Sequence, residues 1–255
     1  MFRTLLRMTQ NQLFDFVVNE LKKYNYKPII GKTRITEERE YIAAPGDIPI
    51  VLVAHLDTVF DDDSRKDMVI CHDTEQGIWW SPNGLGADDR AGVDMILSIL
   101  EQTKLRPHIL FTTDEETIGG GADAVAKIKD KLFKDVSYII ELDRKGYQEA
   151  VYYDCDNPEF EAYVNSFGFH TNEGTFTDIS IICPNWGVAG VNLSVGYFWE
   201  HSYMEHFYGS FWYDTYRKVV RMLDDKEGYK GWKYIPKKYE IKEKQDNGKR
   251  RNRES

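Results

Sequence analysis

The sequence predicts an α/β fold: three layers, with a mostly parallel but mixed twisted sheet flanked by helices. Three observations carry this. Short apolar runs alternate with amphipathic helical segments along the chain, the pattern of strands joined by crossover helices. Several of those runs are apolar at successive positions, as strands covered on both faces are. The chain has 255 residues, 42% of them apolar and 14% aromatic, enough to bury a large core.

Residues 9–24 read as the first helix, because Leu13, Val17, Leu21 and Tyr24 share one face and Thr9 or Asn11 can cap it. An alternating stretch over 33–43 reads as a half-buried strand, and the run at 48–54 as a fully buried one. Residues 77–80 form a short strand ending at Pro82-Asn83-Gly84. From Arg90, the positions Val93, Ile96, Leu97 and Leu100 make a helical face. Residues 108–111 are a strand, 122–132 a short amphipathic helix, and 136–142 and 187–195 two further strands. A long helix is expected over 203–223. Residues 1–238 are thereby read as one catalytic domain. Residues 239–255 carry six basic and four acidic side chains and almost no apolar ones, so they read as a charged, disordered tail.

Composition narrows the function. Forty-two acidic against 33 basic residues give a net charge of −9, which disfavours nucleic acid as a partner. No apolar run reaches the roughly 20 residues that span a bilayer, and the N-terminal stretch lacks a secretory leader's pattern. Three cysteines without CxxC spacing exclude a disulfide framework or a thiolate zinc site. The expectation is a reduced, cytoplasmic protein with no membrane or nucleic-acid partner.

The chemistry collects where strands end. The run at 50–54 leads into His55-Leu-Asp57, that at 108–111 into Asp114-Glu115-Glu116, that at 136–142 into Asp143, and that at 187–195, after an aromatic loop, into His201. A fifth acidic element, Asp88-Asp89-Arg90, opens a helix. In a parallel sheet the carboxyl ends of the strands share one edge, where ligands bind. So many carboxylates in one volume repel unless a cation compensates them. Between these acids the chain offers only Arg90 and Arg144. Imidazole mixed with carboxylate suits Zn²⁺, Mn²⁺ or Co²⁺ better than Ca²⁺, and the donors fit two ions about 3.5–4 Å apart rather than one.

At these residues the chain resembles the co-catalytic zinc exopeptidases, the superfamily of tripeptidase T, carboxypeptidase G2, aminoacylases and zinc aminopeptidases. The motifs are His55-Leu-Asp57-Thr-Val, Gly86-Ala-Asp88-Asp89-Arg-Ala-Gly92, Asp114-Glu115-Glu116 with Gly119-Gly-Gly-Ala122, Glu141-Leu-Asp143, and His201-Ser-Tyr-Met-Glu205, in that order. The resemblance implies a zinc-exopeptidase (phosphorylase/hydrolase-like) fold and two Zn²⁺ per chain, with Co²⁺ or Mn²⁺ as substitutes. It implies that Asp88 bridges the ions, that His55 and Asp143 complete one site, and that Glu116 and His201 complete the other. Glu115 is then the general base and Asp57 orients His55. The activity implied is peptide-bond hydrolysis through a metal-bridging hydroxide, by an aminopeptidase or small-peptide exopeptidase. An amidase or deacylase of N-acyl amino acids is the alternative, and a non-catalytic binding protein a further one.

Two departures refine this. Only 57 residues separate Asp143 from His201, too few for the lid and dimerisation domain that the tripeptidase and carboxypeptidase branch inserts there. The oligomeric state stays open. Asp rather than Glu at 143 goes, by resemblance, with aminopeptidases and tripeptidases. A carboxylate-rich surround is expected to favour a substrate ammonium and to disfavour a nearby carboxylate.

Other residues have plainer readings. His206 rivals His201, but the His201-x-x-x-Glu205 spacing favours His201. His72 and His108 read as structural, and Asp61 to Asp63 as a solvated loop. His170 and Asp178 bound a Gly- and Thr-rich loop in the region where the resembling families form their substrate pocket, and Tyr197 precedes a ligand. All three are candidate substrate-binding residues. Gly119 to Gly121 read as a tight turn rather than a phosphate cradle.

Overall fold

The computed structural model describes residues 1–33, 38–117 and 119–238, and the predicted tail lies outside the described residues. In chain order the elements are α1 (Phe2–Leu5), α2 (Gln10–Lys23), β1 (Ile29–Lys32), β2 (Arg39–Ala44), β3 (Ile48–His55), α3 (Asp62–Arg65), β4 (Cys71–Asp73), β5 (Ile78–Trp80), α4 (Ala87–Gln102), β6 (Pro107–Thr112), α5 (Gly120–Ala126), α6 (Lys129–Leu132), β7 (Tyr138–Arg144), β8 (Glu149–Val151), α7 (Pro158–Asn165), β9 (His170–Thr171), α8 (Asp178–Trp186), β10 (Gly190–Ser194), β11 (Tyr197–Phe198), β12 (His206–Tyr208) and α9 (Gly209–Asp224).

Among the described residues, eight strands form a mixed sheet in the order β1-β2-β6-β3-β7-β10-β8-β9. The centre, β6-β3-β7-β10, is parallel, whereas β1, β2 and β8 join through antiparallel pairings. The α/β class and the mixed sheet flanked by helices therefore stand as predicted. Period-2 alternation splits the sheet's side chains between two cores. Ile50, Leu52 and Ala54 of β3 and Ile140 and Leu142 of β7 pack on the side of α4. Val51, Val53 and Ile139 pack on the side of α5 and α8. Pro49 sits inside β3 where the pairing with β6 shifts register between Ile48 and Val51, a place where its missing N–H costs no ladder bond.

Helix α2 forms where the periodicity places it. Thr9 accepts from the Gln12 N–H and the Gln12 side chain accepts from the Thr9 N–H, a reciprocal cap, while Leu13, Val17 and Leu21 are buried. Two predicted helices differ. The segment 122–132 is two short helices, α5 and α6, broken at Lys127 and Ile128 with the apolar positions kept on one face. The segment 203–223 is helical only from Gly209. Residues His206–Tyr208 are instead drawn into a second, four-stranded sheet in the order β11-β12-β5-β4, where Phe207 pairs with Trp79. That small sheet sits beside the carboxyl edge of the large one and carries the loop that holds His201. No described helix is long and apolar enough to cross a membrane.

Candidate active site

The site grows from three adjacent strand ends. His55 is the last residue of β3, Thr112 the last of β6, and Asp143 the penultimate residue of β7. Period 2 puts Val51, Val53 and His55 on one face of β3, and Ile139, Glu141 and Asp143 on the matching face of β7. The fourth contributor is the start of α4. There the Asp88–Asp89 peptide is cis and both residues are non-helical. The Oδ1 of Asp89 accepts from the Gly92 N–H at 2.9 Å and its Oδ2 from the His55 N–H at 3.3 Å, so Asp89 caps the helix and ties it to β3.

Asp88 stands between two sets of donors. Its Oδ1 lies 3.1 Å from His55 Nε2, which is also 3.4 Å from Asp143 Oδ1. Its Oδ2 lies 3.2 Å from His201 Nε2, which is also 2.9 Å from Glu116 Oε2. The structure thus brings together all five residues predicted as ligands. His201 closes the open side, its side chain half exposed and its backbone at φ +58.

Asp57 does two things. Its Oδ1 lies 3.2 Å from His55 Nδ1, and its two oxygens accept the N–H groups of Glu115 and Glu116 at 3.2 and 3.0 Å. One carboxylate therefore lies against the imidazole and holds the backbone of the glutamate pair. Burial pushes its pKa up, but His55 and the Glu116 N–H outweigh that and hold it at about 2. Asp143 is held just as closely. Tyr197 Oη donates to its Oδ1 at 3.0 Å, Thr177 Oγ1 donates to its Oδ2 at 3.1 Å, and its N–H donates to Asn192 Oδ1. Asp178 is fully buried at the start of α8, accepting from Thr112 Oγ1, and burial raises it to about 7. Asp178 and Tyr197 thus lie at the cluster. His170 lies elsewhere, exposed on β9 at the far edge of the sheet.

The donor set asks for cations. Burial raises Glu115 to about 8, with Asp143, Asp178 and Asp88 adding and His55 opposing, and pushes Glu141 and Asp89 well up. Hydrogen bonds to Asp88 and Glu116 lift His201 to about 11. The Oε1 of Glu116 is buried without a partner. Arg90 does not neutralise the cluster. Its guanidinium donates to the carbonyls of Leu56, Asp57 and Met8. Imidazole nitrogens held 2.9–3.4 Å from carboxylate oxygens are where metal ions replace protons, so the residues present fit divalent metal. Ligand atoms of His55, Asp88 and Glu116 lie within 4.8 Å of one another, as do those of His55, Asp89 and Asp143. In the second group Asp89 already accepts from the N–H groups of Gly92 and His55.

Sequence reasoning missed the supports of Asp88. Buried Arg65 donates to the carbonyls of Asn83, Gly84 and Leu85, and buried Glu205 accepts from the N–H groups of Gly86 at 2.6 Å and Asp88 at 3.0 Å. Glu205 stood in the His201 motif without a role, and its spacing from His201 was the only signal. A cavity of about 210 Å³ opens above the cluster, floored by Asp88, Glu115 and Asp143 and rimmed by Arg144, Lys145 and Glu200.

Residues 38–177 match the sequence profile of peptidase family M28. No curated protein matches the chain by sequence. Among solved structures, a tripeptidase from Staphylococcus aureus subsp. aureus Mu50 superposes with a TM-score of 0.70 at 13% identity, covering 89% of this chain and 96% of that one. An aminopeptidase from the archaeon Desulfurococcus kamchatkensis gives 0.68 at 14%, covering 90% and 95%. A glutaminyl cyclase from Porphyromonas gingivalis gives 0.55 at 16%, covering 88% and 94%. At such identities the likeness is one of fold, and the cyclase shows that this fold serves more than one reaction.

Proposed function

The chain belongs to peptidase family M28 and is a metallopeptidase, and from that premise we propose that it is a di-zinc aminopeptidase acting on small peptides. The observation that carries this reading is Asp88, whose two oxygens each face one histidine–carboxylate set. His55, Asp143 and Asp88 Oδ1 would hold one ion, and His201, Glu116 and Asp88 Oδ2 the other. Zn²⁺ bound there supplies Lewis acidity and lowers the pKa of a shared water, and Co²⁺ or Mn²⁺ can substitute.

The chain's own residues do the rest. Asp57 fixes the ring of His55 and, through two backbone N–H groups, the glutamate pair. Glu115 lies in the carboxylate cluster without a place in either ligand set. Its carboxylate accepts the proton of the attacking water and returns it to the departing amine. Thr177 and Tyr197 pin Asp143 from two directions, so that ligand needs little reorganisation. The carboxylates around the ligand sets that the ions do not engage favour the ammonium of a free N-terminus.

The deacylase alternative uses the same residues and differs in the group beside the scissile bond. The experiment is to compare kcat/KM for an aminoacyl anilide with that for its N-acetyl derivative, on zinc-loaded protein. A charge-assisted contact to the amine predicts a preference of at least about tenfold for the free amine. Equal rates, or preference for the acetylated compound, would favour the deacylase.

A further inference from the structure

The acids of the site dominate the sequence, yet one side of the cavity's rim carries two cations, each held in an ion pair. Arg144 and Lys145 follow the ligand Asp143 directly and both line the cavity. Each is presently paired with a glutamate: Arg144 Nε donates to Glu149 Oε2 at 3.1 Å, and Lys145 Nζ to Glu200 Oε1 at 2.5 Å. Arg144 also donates from Nη2 to the carbonyl of Glu173, which places its guanidinium against the loop that supplies Thr175 and Phe176 to the cavity wall. The Lys145–Glu200 pair spans the mouth, one partner two residues past Asp143 and the other next to His201.

We propose that Arg144 and Lys145 bind the free C-terminal carboxylate of a dipeptide-sized substrate, so that the enzyme selects short peptides with both termini free. This rests on the aminopeptidase reading and names its substrate class. Arg144 and Lys145 follow the ligand Asp143 by one and two residues and line the same cavity, so the rim cations lie within a short reach of the ligand cluster. One residue spans at most about 3.6 Å, so with the scissile bond at the ligand cluster the carboxylate of a dipeptide falls near the rim. The Lys145–Glu200 pair is the more exposed of the two, and exposed pairs are worth about 0–1 kcal/mol, so a substrate carboxylate displaces Glu200 at small cost. A guanidinium suits this task because its N–H groups form a fork that matches a carboxylate. A substrate carboxylate would take the place of a rim glutamate on these cations.

The test compares leucyl-glycine with leucyl-glycinamide on zinc-loaded wild-type protein, on Lys145→Gln and on Arg144→Gln/Lys145→Gln. The wild type is expected to prefer the free acid by about 10- to 100-fold, mainly through KM. Lys145→Gln should narrow that preference and the double variant abolish it, with the loss falling on the acid. Arg144→Lys, which keeps the charge, should retain part. The amide serves as the folding control within each variant. Equal use of acid and amide by the wild type would overturn the proposal, as would variants that slow both substrates alike. If neither peptide nor an aminoacyl anilide is cleaved, the aminopeptidase reading itself fails and this inference with it.

Discussion

Glu115 and Glu116 are neighbours in sequence with different surroundings. Glu116 Oε2 lies 2.9 Å from His201 Nε2, inside a donor set, while Glu115 is raised to about 8 by its burial among other acids. Their backbones are gripped by one carboxylate, Asp57, so exchanging either side chain for its amide leaves the frame in place. Glu115→Gln should therefore cut kcat by about 10²–10⁴-fold with zinc content unchanged, since the amide keeps the shape and cannot take a proton. Glu116→Gln should lose zinc. Kinetics and metal analysis on both variants check this, and exchanged phenotypes would reverse the two roles. At this scale the ligands were legible because His55, Glu116, Asp143 and His201 follow apolar runs and Asp88 opens a helix in an acidic motif. The roles of Arg65 and Glu205 were not, because a charged residue in a sequence reads as solvated, and only tertiary contact shows that its charge meets backbone groups. His170 illustrates the converse: its loop was placed by resemblance at the substrate pocket, whereas the side chain lies on an edge strand.

Helix α4 must approach the sheet closely to bring Asp88 to the strand ends, and Gly92 permits it. A Cβ there would meet the Leu142 carbonyl at 2.1 Å and both carboxylate oxygens of Asp89 at 2.6 Å. Gly92→Ala should therefore push the helix off β7, destabilise the fold by about 1–3 kcal/mol and weaken zinc binding. Denaturant unfolding and metal content measure both, and an unchanged midpoint with full zinc would show that the close approach is dispensable. The elements themselves were largely readable from period. The failures have physical causes. Residues 122–132 keep one apolar face across the break between α5 and α6, so periodicity cannot see it. Residues 206–208 pair with β5, a long-range contact that overrides the helical pattern around them. The strand predicted over 33–43 overlaps β2, whereas β1 had no counterpart in the reading, and residues 34–37 lie outside the described residues.

Across the whole molecule, buried acids set how metal-free stability depends on pH. Glu115 and Glu205 are raised to about 8, and Asp178 and Asp94 to about 7, in each case first by burial. A carboxyl raised in the folded state keeps a proton there that the unfolded chain releases above about pH 4. Its contribution is thus full below that pH and is lost as pH climbs through 7 to 8. Asp57, lowered to about 2, acts oppositely: its contribution is present above about pH 4 and lost as pH falls toward 2. The Tm of metal-free protein should accordingly fall between pH 5 and pH 8. Zinc compensates the acids at the centre and adds binding energy to the folded state only, so the loaded protein should show a shallower fall or a rise. Thermal melts with and without zinc decide this, and parallel slopes would contradict it.

The proposed centre depends on one carboxylate, Asp88, serving two ions. The most direct measurement is the zinc content of the protein after zinc loading and exhaustive dialysis against metal-free buffer. Two zinc ions per chain are predicted, and one per chain, or none, would contradict the dinuclear site.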